Sequence, residues 1–208
     1  MNVDPVESEA GKAVTAGRPR SFDEDETLQR VLDVFWVRGY EASSYPALEE
    51  ATGLRRQSLR YAFGDKDAMF LKALSRYADR RVGEFAVALS SHRSPFVCLE
   101  AAFAIWVKDA EDPRQRGCMV VNTLAEASNV PAEALVFAQT AARRLIKLLE
   151  KTFRAGQVCG EVATKLSPKE LAVIALTLGD GLTLHGRSGA ATSSPARVTA
   201  SFLKQLKP

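Results

Sequence analysis

The sequence predicts an all-α chain: an N-terminal three-helix unit containing a helix-turn-helix, followed by a larger C-terminal helical bundle. Three observations predict it. Apolar residues recur at helical spacing through most of the 208 residues, and no alternating strand pattern or internal repeat interrupts them. Two short amphipathic stretches flank Gly53. A late stretch, residues 171–184, is apolar almost all round, with Thr177, Asp180 and Thr183 as its only polar side chains.

The first helix is expected over about residues 22–39, where Leu28, Val31, Leu32 and Phe35 fall at i, i+3, i+4 and i+7. Ser21 or Asp23 can cap it, the acids 23–26 suit its positive dipole end, and Gly39 supplies the stop. Ser44 caps a short helix over residues 45–52, with Pro46 in its first turn and Gly53 ending it. A second short helix over residues 55–63 turns Leu59 and Phe63 inward. Asp65 caps a longer one, to about residue 89, that carries Phe70, Leu74 and Tyr77 on one face.

After Ser94 and Pro95 a helix to about residue 110 carries Phe96, Leu99, Phe103 and Trp106. A short helical piece around residues 117–127 precedes a long one over residues 131–155, started by Pro131. Ser167, Pro168 and Glu170 form a capping box before the apolar helix. The last helix is expected over residues 195–206. The domain division that follows is a tail over residues 1–16, a reader unit over 17–66 and a bundle over 67–208.

Composition removes several classes of function. No window approaches the ~18 uninterrupted apolar residues that a bilayer span needs, and the opening residues lack a secretory pattern, so a cytoplasmic location is expected. Cys98, Cys118 and Cys159 are widely spaced, with only His92 and His185 as companions. Neither a disulfide framework nor a metal site is expected, and no cofactor. No nucleophile elbow, phosphate loop or HExxH occurs, so no enzyme activity is expected.

A net charge of +3 does not itself argue for nucleic acid; its placement does. The outward side of residues 55–63 carries Arg55, Arg56, Gln57, Ser58, Arg60 and Tyr61 with no acid among them. All can donate to phosphates or base edges, and an α-helix fits the major groove, where Arg reads guanine and Gln reads adenine. Arg18 and Arg20 form a basic arm suited to a minor groove, and Lys66 is placed to reach a phosphate. Double-stranded DNA is therefore the expected partner. A protein-interaction module whose helix-turn-helix no longer touches DNA is the alternative.

The stretches GRPRSFDEDETLQRVLDVFWVRGYEASSYPALEEATGL and RRQSLRYAFGDKDAMFLKALSRY together resemble the TetR/AcrR family of one-component transcriptional regulators. The resemblance implies a homodimer reading a palindromic operator, and a divergent bundle that binds a small-molecule effector. It makes Ser44 the cap of the second helix, Gly53 the turn glycine, and Phe63 with Lys66 the element closing the recognition helix. Arg55 stands where the family usually has Ser, and Arg60 where it usually has a phosphate-contacting Tyr. The later stretch RGCMVVNTLAEAS, residues 116–128, resembles a segment of one branch of the family.

In the bundle, one flank of the apolar helix is expected to pack in the core and the other against a second copy. Leu171, Ile174, Ala175, Leu178 and Leu182 form that interface with Val198 and Phe202 of the last helix, while Ala175, Gly179 and Gly181 permit close backbone approach. A dimer would set two reader helices about 34 Å apart, one DNA turn. Phe96, Phe103, Trp106, Met119, Asn122, Phe137 and His185 are expected to line an effector pocket, with apolar and aromatic walls and few polar groups.

Overall fold

The computed structural model describes residues 22–189 and 193–208. Arg18 and Arg20 of the expected basic arm lie outside the described residues. Among those described, nine helices follow in order: α1 (Glu24–Arg38), α2 (Tyr45–Thr52), α3 (Arg56–Phe63), α4 (Lys66–Ala88), α5 (Pro95–Ala110), α6 (Met119–Ala125), α7 (Ala132–Val158), α8 (Pro168–Ser188) and α9 (Pro195–Lys204). The all-α architecture is as the periodicity predicts.

Local chemistry sets most boundaries. Asp23 caps α1, its carboxylate accepting from the amides of Asp25 and Glu26, while Ser21, the other cap the sequence offered, lies outside the described residues. Ser44 caps α2, Asp65 caps α4, and the box of Ser167 with Glu170 opens α8. Gly39 ends α1 at φ 76°, and a Cβ there would come within 2.6 Å of the Glu126 carboxylate. That position therefore needs glycine both for conformation and for space.

The helices enclose two apolar clusters joined by α4. In the first, Val31, Leu32 and Phe35 of α1 meet Leu48 of α2, Leu59 and Phe63 of α3, and Met69, Phe70, Leu74 and Tyr77 of α4. Phe35 and Phe70 meet edge to face with centroids 5.1 Å apart. Met119 of α6 and Ala134 and Ala138 of α7 belong to the same cluster, so the three-helix reader shares its core with the bundle. The second cluster gathers Phe85, Leu99, Phe103, Trp106, Leu149, Phe153, Leu171, Ala175 and Leu203. With 23 residues, α4 is about 35 Å long and runs from one cluster to the other as a rigid strut.

The apolar helix α8 divides its faces as an amphipathic helix does, although both faces are apolar. Leu171, Ala172, Ala175, Gly179 and Leu182 turn inward. Val173, Ile174 and Leu184 remain 40–46% exposed on the other side. The expectation that Leu171 and Ala175 meet a partner is therefore corrected, since both are wholly buried within the protomer. Gly179 is corrected likewise: a Cβ there would lie 2.2 Å from the Trp106 ring, so its close approach is to α5. No helix among the described residues is long and apolar enough to cross a membrane.

Candidate nucleic-acid interface

Gly53 links α2 to α3 in the left-handed conformation, at φ 72° and ψ 5°, its amide closing α2 on the Glu49 carbonyl at 2.8 Å. The turn lets α3 cross α2 and plug Leu59 and Phe63 into the first cluster. Arg55, Arg56, Gln57, Arg60 and Tyr61 consequently face solvent, with Ser58 half-buried at the edge. Arg55 is the N-cap residue rather than the first helical one, and its side chain makes no cap bond. Glu49 does that work instead: its Oε1 accepts from the Arg56 amide at 2.6 Å. The Arg56 guanidinium lies 4.2 Å above the Tyr45 ring, which orients it on the outer face. Neither Tyr45 nor Glu49 was among the residues anticipated from sequence; a carboxylate seven positions before a helix start is not a recognised cap spacing.

Lys66 is more tightly held than a simple phosphate anchor. Its ammonium donates to the Glu41 carbonyl at 3.1 Å and sits 4.4 Å from the Tyr40 ring, and burial holds its pKa below the ordinary lysine value. Tyr40 donates to Asp67, and burial, then the Asp67 carboxylate, push its phenol up to about 12. These contacts fasten the turn after α1 to the start of α4. Arg76 of α4 forks onto Asp25 of α1, one arm at 2.8 Å, and holds that carboxyl below its usual range. Ser44 accepts from the Ala47 amide at 3.4 Å, as a cap should.

In the bundle the seven residues anticipated for one effector pocket separate into several environments. Phe96 and Phe103 line an open cleft of about 920 Å³ with Trp36, Lys108, Arg116 and Leu203. Trp106 instead borders a small inner chamber of about 40 Å³ between α4, α5, α6, α7 and α8, with Arg81, Phe85, Cys118, Leu145, Leu176 and Asp180. Met119 is core. Asn122 is buried and its amide donates to the Arg116 carbonyl at 3.0 Å. Phe137 packs half-buried against the first cluster, and His185 is exposed on the outer face of α8. The single pocket is thus corrected: helical spacing shows that a face is apolar, not which neighbour that face meets. Within the inner chamber, Arg81 is ion-paired to Asp109 and, at 2.9 Å, to Glu84. Asp180 has no such partner, and burial pushes its carboxyl up to about 6.

Residues 96–202 match the family model described as the Tetracyclin repressor-like, C-terminal domain. The chain belongs to the TetR/AcrR family. It is similar over 90% of its length to the HTH-type transcriptional repressor ComR of Escherichia coli (strain K12), at 28% identity and covering 90% of that protein. A cysteine-substituted form of the TetR-family regulator CifR, complexed with 26-bp double-strand operator DNA, superposes with a TM-score of 0.77 and 32% identity, covering 90% of this chain and 98% of that one. A TetR-family regulator from Agrobacterium tumefaciens shares the fold at TM-score 0.81 and 18% identity, over 89% and 100% of the two chains. The present TetR-family chain is a DNA-binding transcriptional regulator, not an enzyme.

Within this TetR-family protein α8 and α9 flank a groove of about 300 Å³ lined by Thr177, Leu178, Gly181, Leu182, His185, Ser193, Pro195 and Val198. Leu178, Leu182 and Val198, which the sequence assigned to an interface, line this groove with His185, and Ile174 is 40% exposed. Phe202 is turned partly inward, its ring 5.5 Å from that of Phe103.

Proposed function

We propose that this TetR-family regulator is a homodimeric repressor that holds a palindromic operator through α3 of each protomer and lets go when a small molecule enters the bundle. One observation carries the reading. The arginine-bearing side of α3 is exposed to solvent while its opposite side, Leu59 and Phe63, is buried at 0% and 3% exposure. A helix anchored this way offers Arg56, Gln57 and Arg60 to a major groove without unfolding anything. The second contact patch, Val173, Ile174 and Leu184 beside the α8 and α9 groove, supports pairing about a two-fold axis. Pairing supplies the palindrome, because each half-site meets the same surface. Release follows from α4, which is continuous from the reader core to the wall of the inner chamber, so that a ligand favouring a displaced α4 disfavours the operator-bound state.

An operator selected from random duplexes tests this by fluorescence anisotropy across a salt series. Nanomolar-range affinity with a steep salt dependence is expected. Replacing Arg56 and Arg60 together by Ala is expected to weaken binding by at least about tenfold and to lower the salt slope by about four, two contacts from each protomer, if each touches a phosphate or base beside one. Unchanged affinity and slope in that variant, or failure to select any operator, overturns the reading.

A further inference from the structure

The inner chamber carries information about the chemistry of its ligand. Its walls are apolar and aromatic, chiefly Phe85, Trp106, Leu145 and Leu176, and two side chains of opposite charge, Arg81 and Asp180, also reach it. Their situations differ. The Arg81 guanidinium is held by Asp109 and Glu84 and lies 5.4 Å from the Phe85 ring, so its charge is already balanced. The half-buried Asp180 carboxylate has no hydrogen bond or ion pair among the described residues, and no cation offsets its desolvation.

A carboxylate in this setting is stabilised by whatever brings it a positive charge or a donor. A neutral ligand would leave it unpaired, and an anionic one would meet its repulsion with the nearby guanidinium already engaged. We propose that the chamber takes a cationic ligand, a protonated amine on a small apolar or aromatic body, with Asp180 as its counter-ion and the Trp106 and Phe85 rings around it. This rests on the reading that an effector enters the bundle, and it names that effector's chemical class.

Aromatic faces attract cations as well as apolar bodies, so the same walls serve both ends of such a molecule. The chamber's volume of about 40 Å³ is close to the space of one water molecule. A ligand with even one ring must therefore push apart the helices that wall the chamber, among them α4, which bears Arg81, Val82 and Phe85. Ligand entry and displacement of the reader strut are then one event.

Benzylamine, benzyl alcohol and benzoate, three rings differing in the charge of one substituent, test the assignment on the full chain by calorimetry at neutral pH. Benzylamine is expected to bind at least about tenfold more tightly than the alcohol, with benzoate weakest, and Asp180→Asn to bring amine and alcohol within about twofold. The proposal is overturned if benzylamine does not bind, if the alcohol or benzoate binds as well, or if Asp180→Asn keeps the amine preference. Operator affinity measured in the same samples separates the two readings. An amine preference that depends on Asp180 but leaves operator binding unchanged supports the ligand class and overturns effector-driven release.

Discussion

The guanidinium of Arg187, near the end of α8, donates to the backbone carbonyl of Trp36 at 3.2 Å, across 151 residues of sequence. The same nitrogen donates to the Arg116 carbonyl at 3.0 Å, while the Trp36 indole donates to the Gly117 carbonyl at 3.0 Å and the Arg116 guanidinium stacks 4.0 Å above that indole. The end of α1 is thus tied to the bundle by a joint separate from α4. Removing Arg187 leaves part-buried carbonyls without their charged donor, so Arg187→Ala is expected to lower stability by about 1–2 kcal/mol in urea denaturation. Arg187→Lys should recover little, because the second guanidinium nitrogen also reaches the Val37 carbonyl at 3.5 Å and one ammonium cannot stand in for both nitrogens of a planar fork. Full rescue by lysine would show that charge, not geometry, holds the joint.

Glu49 gives a second prediction. Its carboxylate serves the Arg56 amide in place of an N-cap side chain, since Arg55 cannot. Loss of a cap typically costs about 1 kcal/mol, and the frayed turn here carries two of the arginines proposed to read DNA. Glu49→Ala is expected to lose that stability and to weaken operator binding, although it removes an acid from a DNA-facing region. Tighter operator binding by the variant would show that simple charge repulsion outweighs the positioning of α3.

The bounds of α2 and the capping box of α8 were legible because Ser44, Gly53, Ser167 and Glu170 act within a few residues of themselves. The exposed face of α3 was legible for the same reason: Leu59 and Phe63 were the residues that could turn inward. The effector residues were not. Phe103 and Trp106 lie three positions apart on α5, yet one borders the open cleft and the other the inner chamber. Which void a ring meets depends on the helix opposite, and nothing local in the sequence states that. Asp180 was visible as the one acid in the apolar stretch 171–184, but its lack of a partner became evident only once Arg81 was seen to be engaged elsewhere.

The two faces of α8 make a paired prediction about assembly. Ile174 is 40% exposed and Leu171 wholly buried, although they are only three residues apart. Ile174→Glu is expected to leave the protomer folded but to convert the dimer to monomer in sedimentation velocity, with loss of tight operator binding. Leu171→Ala should act in the opposite order, costing about 2–5 kcal/mol of stability through a core cavity while the folded fraction still pairs. If Ile174→Glu stays dimeric, α8 is not at the two-fold axis.

Asp180 also makes stability depend on pH with an unusual sign. Most perturbed carboxyls here, Asp25, Asp112, Glu161 and Glu170, have pKa values below their ordinary ones, so their contribution is present at neutral pH and lost on acidification. Burial moves Asp180 the other way, from 3.8 to about 6. Between those values the folded chain binds more protons at this position than the unfolded chain, so its contribution falls as pH rises through that window and stays lower above it. Asp180→Asn cannot ionise and escapes the loss. The variant is therefore expected to gain on the parent as pH is raised from about 4 to 7, by on the order of 2 kcal/mol, the equivalent of a shift of roughly two pKa units discounted for residual solvation. The other carboxyls are common to both proteins, so the difference between their urea midpoints isolates this one group. A difference independent of pH, or one that shrinks toward pH 7, would mean that a cation or donor already reaches the Asp180 carboxylate in solution, and the preference proposed for a cationic ligand would lose its support.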